Sequence, residues 1–434
     1  MKKILLIYIF FIAICEDIFY NHTNKENNLY FVFTTFRHGA RSPFSVKDTF
    51  GNTIASPGAL SSYGAIQHLE IGKNYRKRYS NFLNMDFDKK EMYIRSSDVE
   101  RTIISTQKQL EGLFNKTIDR SNFEIVNGGL DFLNLYHLNS KEHKKMNEYK
   151  NSCPKRSLGP DYSQIYKTEI FPILKSCYNI TQKPELYGFC DSVYTAYFEY
   201  VYNNDINNQI GKCGSENAIK MYDFCYQWFN TFRGWNEYGA YMFYLLYQHI
   251  FKYMNKAIKG KGPIKMLMIG GHDITVDKFM NFLDGLKIIP RTHYPHYACN
   301  IVIELRKYNN DFYLEFYYND ILKYNDTFNT FKNILDNSKY SNLYNYCGRP
   351  MKNYLKKFFG QEEDKNLYII LISIFIAFIF IIVIIIGIII ICKRKKKFIK
   401  LTEEKIQKSN QASTIDITDS EKKEENKIEN ESTN

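Results

Sequence analysis

Arg37-His38-Gly39-Ala40-Arg41-Ser42-Pro43 sets two guanidiniums around an imidazole at a glycine turn. Each guanidinium offers a planar fork of donors that fits phosphate oxygens, and an imidazole between two such cations stays neutral and therefore nucleophilic. The chemistry open to these residue types is attack on a phosphorus atom held by arginines. Farther along, Tyr93-Ile94-Arg95-Ser96-Ser97 brings another arginine, and Gly270-Gly271-His272-Asp273 brings a histidine beside a carboxyl group. Phosphoryl transfer asks a protein mainly to position its substrate and to neutralise charge. Arg37, Arg41 and Arg95 are the candidates to hold phosphate oxygens, with His272 as a further donor. His38 is the candidate nucleophile, forming a phosphohistidine that water later displaces, and Asp273, protonated, is the candidate proton donor to the departing alkoxide. Neighbouring arginines keep His38 unprotonated at low pH, and Asp273 keeps its proton only there, so an acidic optimum is expected. No HExxH motif or paired-aspartate loop occurs, and neither a metal nor another cofactor is expected.

Each candidate also has a structural reading. Arg95 can pair with Asp98 across a helix start, and Arg101, inside that helix, is read as structural. His272-Asp273 can cap a helix, a role compatible with catalysis. His68, His137, His143, His249, His293 and His296 have no partner pattern and receive no assignment.

The elements that must position these groups are strands ending at them. Residues 29–36 form an apolar run into Arg37, residues 92–94 a buried strand before Arg95, and residues 266–269 a third before Gly270. Residues 58–79 lead into a helix with Ile66, Leu69 and Tyr75 on one face and basic residues crowding its end. Ser97-Asp98-Val99-Glu100 reads as a capping box opening the next helix, which carries Ile103, Ile104 and Gln107. Residues 301–305 and 312–316, joined through Asn309-Asn310, read as a hairpin at a sheet edge, and that edge leaves a homodimer open. From about residue 130 to 256 the pattern is helical and irregular and holds most of the cysteines, as in an inserted cap. The class is α/β. In open α/β sheets ligands bind beyond the carboxyl ends of the strands, where the candidate residues would converge.

The two ends predict a topology. Lys2 and Lys3 before an apolar stretch make residues 1–15 a secretory signal, and residues 367–392 contain no charge and exceed the length a bilayer core requires. Lys393-Arg394-Lys395-Lys396-Lys397 follows, which places the 393–434 tail in the cytosol and residues 16–366 in the lumen or outside. The expected protein is single-pass and type I, resident in a lysosome or acidic vesicle or at the plasma membrane, and its tail, with no tyrosine, reads as disordered. Residues 16–366 hold 45 Lys and Arg against 37 Asp and Glu, a mild preference for anions. Basic residues do not cluster with stacking aromatics, so nucleic acid is not an expected partner. Sequons at Asn21, Asn115, Asn179 and Asn325 fit the secretory route. The lumenal cysteines, Cys153, Cys177, Cys190, Cys213, Cys225, Cys299 and Cys347, lack zinc-site spacing, and up to three disulfides are expected.

These residues resemble the histidine acid phosphatases, the branch-2 group of the histidine phosphatase superfamily, with the prostatic and lysosomal type most similar. Residues 37–43 fit the family's RHGxRxP signature, Gly271-His272-Asp273 its HD dyad, and the segment from Tyr93 to Thr102 looks like the one bearing the third phosphate arginine. The resemblance spans about residues 29–349. It implies a phosphoglycerate-mutase-like α/β core sheet flanked by helices with a smaller helical cap, a phosphohistidine intermediate and hydrolysis of phosphate monoesters. It also suggests Cys153–Cys347 and Cys190–Cys299 bridges, with Cys213–Cys225 closing a third loop and Cys177 left free. Ala40 stands where animal relatives commonly have aspartate. A phytase or inositol-polyphosphate phosphatase on the same scaffold is the nearest alternative, and a non-catalytic cell-surface binding module is the alternative from another class.

Overall fold

The computed structural model describes residues 28–126, 155–156, 160–202, 209–233, 235–341 and 379. The chain divides into two units, Met1–Met351 and Lys352–Asn434, and in the second only Ile379 is described. The predicted signal, the rest of the predicted membrane span and the tail lie outside the described residues. Among the described residues no helix is long and apolar enough to cross a membrane.

In chain order the elements are β1 (Leu29–Arg37), α1 (Ser62–Tyr79), β2 (Met92–Ser97), α2 (Glu100–Phe114), β3 (Glu124–Val126) and β4 (Lys155–Arg156). Next come α3 (Tyr162–Ile165), a π turn, α4 (Phe171–Tyr178), α5 (Leu186–Tyr202), α6 (Ser215–Arg233), β5 (Trp235–Asn236) and α7 (Glu237–Ile258). The chain continues with β6 (Met266–Gly271), α8 (Asp273–Gly285), β7 (Asn300–Tyr308), β8 (Asp311–Tyr318), β9 (Ile321–Thr327) and α9 (Phe328–Asp336). Seven strands form one sheet in the order β3-β2-β6-β1-β7-β8-β9, and β4 pairs with β5 apart from it.

β1 lies centrally and is buried from Phe31 onward, which is why its sequence is an apolar run without alternation. β3, β2, β6 and β1 run parallel, and β7 turns antiparallel against β1. Arg37 is in register with Gly271, and Ser96 with Gly270, so three carboxyl ends meet along one edge of the sheet. On one face, Val32, Phe36, Ile94, Met266 and Met268 pack with Tyr75, Tyr79, Leu110 and Leu113 of α1 and α2. On the other, Phe31 stacks on Tyr253 of α7, and Phe243 of α7 meets Phe279 of α8. α4, α5 and α6 form a separate helical layer around Tyr166, Leu174, Phe189, Val193 and Phe224, and Ala40, Tyr294 and Tyr297 join its core. The cap boundary expected near residue 256 therefore falls inside α7, which belongs to the sheet's helical layer.

Several expectations are corrected. α1 buries Gly64, His68, Gly72, Tyr75 and Tyr79, while Ile66 is 53% exposed. The glycines explain this face: a Cβ on Gly72 would lie 2.1 Å from the Gln109 carbonyl oxygen, and one on Gly112 2.1 Å from that of Leu69, so α1 and α2 cross at backbone contact. Ser97 is not a cap. The N-cap of α2 is Val99 without a side-chain bond, and Ser97 stays in β2 with its hydroxyl turned to the site. The β7–β8 hairpin, with Asn309 at φ 54°, forms as expected but is not the edge, because β9 pairs beyond it. Cys177 is bonded to Cys213, which overturns both the Cys213–Cys225 bridge and the free Cys177. Cys190, Cys225 and Cys299 are buried free thiols, so no Cys190–Cys299 bridge forms: Cys190 and Cys225 pack in the cap core, while Cys299 precedes β7 and its carbonyl accepts the Arg37 N–H. Cys153 and Cys347 lie outside the described residues.

Candidate active site

β1 ends by delivering Arg37 and His38 to the sheet's carboxyl edge, and the chain then turns away against α1. Gly39 of this turn and Gly64 of α1 let the two backbones touch: a Cβ on Gly39 would sit 2.2 Å from the Gly64 carbonyl oxygen. Underneath, His68 is fully buried with Nε2 3.1 Å from the Arg37 carbonyl oxygen and Nδ1 3.0 Å from the Gln109 amide. Burial lowers His68 to about 4, so it stays neutral and supports the loop from below.

His38 Nδ1 lies 2.8 Å from the Gly39 carbonyl oxygen. A carbonyl only accepts, so in the neutral ring Nδ1 carries the hydrogen and Nε2 keeps its lone pair. Burial lowers the His38 pKa well below 6.5, followed by the charges of Arg101, Arg37, His272 and Arg41. The His272 ring meets that of His38 edge to face at 5.4 Å. The His272 ring is steered by the Ser97 hydroxyl, 2.9 Å from its Nε2, and the His272 backbone N–H donates to the Thr275 hydroxyl at 3.2 Å. Asp273 opens α8. Its Oδ1 accepts the Ile274 N–H at 2.8 Å, and its Oδ2 accepts the Tyr294 hydroxyl.

The arginines are held by different means. Arg37 donates to the Pro295 carbonyl at 2.6 Å, and its guanidinium lies 4.1 Å from the Tyr297 ring centre. Arg41 forms a buried ion pair with Asp191 of α5 at 2.6 Å, and the same carboxylate accepts the Phe44 N–H at 2.8 Å. Arg101, 7% exposed, reaches back from the first turn of α2 to within 5.2 Å of the Phe44 ring centre.

Arg37, His38, Arg41, Arg101, His272 and Asp273 line one cavity of about 150 Å³, with Phe44, Tyr187, Asp191, Tyr194, Phe229, Ile274 and Tyr294 completing its walls. Arg95 is not in this lining. On β2 it shares the face of Tyr93, donates to the Tyr93 hydroxyl at 3.2 Å and lies 3.6 Å from Glu124. Arg95 thus pairs with Glu124 of β3, where the structural reading of the sequence offered Asp98. Arg101, read from sequence as structural, occupies the cavity wall instead. The signal that points to it is its place in the first turn of a helix starting at the sheet's carboxyl edge, since helical side chains lean toward the N-terminus. Asp191 and Tyr294 were also missed, because each contacts the site from a distant segment. Among the described residues no group of His, Cys, Asp and Glu is arranged to hold a metal ion. A neutral imidazole nitrogen, three guanidiniums and a carboxyl group around one small cavity can bind a tetrahedral anion, attack it and protonate what leaves.

The sequence model of the histidine phosphatase superfamily (branch 2) matches residues 28–319. Prostatic acid phosphatase of Bos taurus is 25% identical over 327 residues, covering 69% of this chain and 79% of that protein. Lysosomal acid phosphatase of Rattus norvegicus is 39% identical over 97 residues, covering 21% of this chain and 23% of that protein. Among solved structures, the phytase from D. castellii aligns with 74% of this chain and 82% of its own at 14% identity and a TM-score of 0.49.

Proposed function

Because the chain belongs to the histidine phosphatase superfamily (branch 2), we propose that it is an acid phosphatase hydrolysing phosphate monoesters through a phosphohistidine on His38. The observation that carries this reading is His38 itself, with Nδ1 engaged by its neighbour's carbonyl and its ring in the same cavity as Arg37, Arg41, Arg101 and Asp273. The guanidiniums and His272 bind the phosphate oxygens and offset charge as the P–O bond breaks. His38 Nε2 attacks phosphorus in line, Asp273 protonates the departing oxygen, and a water activated by the same carboxylate then releases phosphate. Arg101 takes the place assigned to Arg95 by sequence.

Full-length protein incubated with a ³²P-labelled ester and quenched in alkali tests the reading. Acid-labile, alkali-stable label appears on wild type and is absent from His38→Ala. Wild type without turnover at any acidic pH refutes it and favours the non-catalytic module. Against the inositol-polyphosphate alternative stand the cavity's aromatic walls and Asp191, which already occupies one guanidinium. Exposed Asn115, Asn179 and Asn325 support passage through the secretory route. On that basis the domain is lumenal or extracellular, anchored by residues 367–392.

A further inference from the structure

Both oxygens of the Asp273 carboxyl group have donors: the Ile274 N–H reaches Oδ1 at 2.8 Å, and the Tyr294 hydroxyl reaches Oδ2. Tyr294 belongs to the connection between α8 and β7, and it is fixed independently of Asp273. Its ring stacks on Phe229 at 5.1 Å with 16° between the planes, and its carbonyl accepts the Tyr226 hydroxyl at 3.4 Å. The same connection is pinned to α8 by the buried Arg291–Asp277 pair at 2.6 Å and to α6 by Arg291 donating to Asn230 Oδ1 at 3.0 Å. Tyr294 is 3% exposed, so its phenol is a rigid donor rather than a surface group that visits the site.

We propose that Tyr294 is the positioning residue of the proton donor: its hydroxyl fixes the orientation of the Asp273 carboxyl group and stabilises the carboxylate that remains after the proton has left. This rests on the role given to Asp273 above. As the ester P–O bond breaks, its electron pair goes to the leaving oxygen, the Asp273 proton joins that oxygen to give a neutral alcohol, and the phosphoryl group stays on His38. The charge left on Asp273 is met by the Tyr294 O–H. In the second step the carboxylate takes a proton from the attacking water, and the starting state returns. A donor to the anion favours the ionised form. Tyr294 therefore makes Asp273 a stronger acid and sets the pH above which the donor is spent.

Arg37 from β1 and Cys299 ahead of β7 also interact electrostatically with Asp273, and His38, Arg41, Arg101, Asp191 and His272 share its cavity. All of these persist in Tyr294→Phe. The ring that stacks on Phe229 and faces the Arg37 guanidinium at 5.2 Å persists as well, so the variant removes one O–H group.

The test compares full-length wild type and Tyr294→Phe across pH on a primary alkyl phosphate and on an aryl phosphate with a good leaving group. A charge-assisted hydrogen bond is worth enough to move the alkaline limb of kcat upward by about one pH unit in the variant. Turnover of the alkyl ester, which depends most on protonation of its leaving group, falls more than that of the aryl ester. Superimposed alkaline limbs, or equal losses on both esters, overturn the proposal in favour of a packing role. A second readout needs no turnover: proton uptake on binding inorganic phosphate, from titration calorimetry in two buffers of different ionisation enthalpy. Its midpoint moves to higher pH in the variant, and an unmoved midpoint overturns the proposal. Wild type that neither turns over esters nor binds phosphate overturns the phosphatase reading itself, a different result from a phosphatase whose variant behaves as wild type.

Discussion

Arg101 from the first turn of α2 and His38 from the end of β1 line one cavity, and burial of the imidazole together with the guanidinium charge lowers the His38 pKa well below 6.5. A helix that follows a different strand thus places a cation at the cavity of His38, in addition to Arg37, its immediate neighbour in sequence.

Arg101 and Arg95 are expected to separate cleanly. Removing one preorganised donor to developing charge costs on the order of 10² to 10³ in kcat, so Arg101→Ala loses at least about a hundredfold in kcat/KM. Arg95→Ala breaks a contact with a half-exposed glutamate and stays within about threefold of wild type. Steady-state kinetics on one aryl phosphate decides the matter, and the reverse order returns the assignment to Arg95.

The acidic side of the pH profile follows from the same charges. With its pKa held well below 6.5, His38 remains an unprotonated nucleophile as the pH drops through that value, so activity persists below pH 6.5 and declines only when the ring finally protonates. Arg101→Ala removes one of the charges opposing that protonation, and the acid limb of its residual kcat/KM shifts to higher pH. An acid limb at 6.5 in wild type would show that His38 is unperturbed.

Asp191 ties α5 to the loop after β1 through Arg41 and the Phe44 N–H. Breaking a buried ion pair by removing one partner costs about 3–5 kcal/mol, since the other charge stays buried alone. Asp191→Ala lowers the denaturant midpoint correspondingly and raises KM, because Arg41 is no longer aimed. Asp191→Asn, which keeps an acceptor for Phe44, lies between. Equal midpoints for all three proteins would mean that the pair contributes nothing.

Stability falls in acid through histidines that burial holds below their ordinary pKa, His68, His38, His293 and His296 among them, and through the buried carboxylate of Glu304. His68 is about 4 when folded and about 6.5 when unfolded, so between these values only the unfolded chain takes up the proton, and stability declines as the pH falls from 6.5 to 4. Burial alone would raise Glu304, but Arg78 and Arg306 outweigh it and bring it to about 2; its contribution is complete above about 4.5 and disappears as the pH falls toward 2. Urea midpoints between pH 7 and pH 3 trace both windows. His68→Gln makes the upper window shallower by one histidine's share, the other lowered histidines keeping the rest, whereas a wild-type midpoint constant from 6.5 to 4 would contradict the buried neutral ring.

Much of this site is legible where chemistry and chain proximity coincide. Residues 37–43 and 271–273 declare their chemistry because the reacting groups are adjacent, and the apolar runs before them declare strands because each is buried on both faces. The helical face of α1 was misread because it packs through Gly64 and Gly72, which carry no side chain to count toward apolar periodicity. β9 is not legible because Ile321, Leu322 and Lys323 are all exposed and its residues show no alternation of apolar and polar positions.

The types of group available, and the order of the strands' ends that carry them, were determined by the sequence alone. Which arginine shares the cavity of His38 was decided by tertiary structure. Arg95 and Arg101 flank one strand-to-helix junction, but Arg95 lies in register with Glu124 of β3 and pairs with it, while the lean of side chains in the first turn of α2 brings Arg101 into the cavity. Asp191, Tyr294 and the Cys177–Cys213 bridge belong to the same class of fact. Each depends on where a distant segment comes to rest, and residue spacing along a chain does not encode that distance.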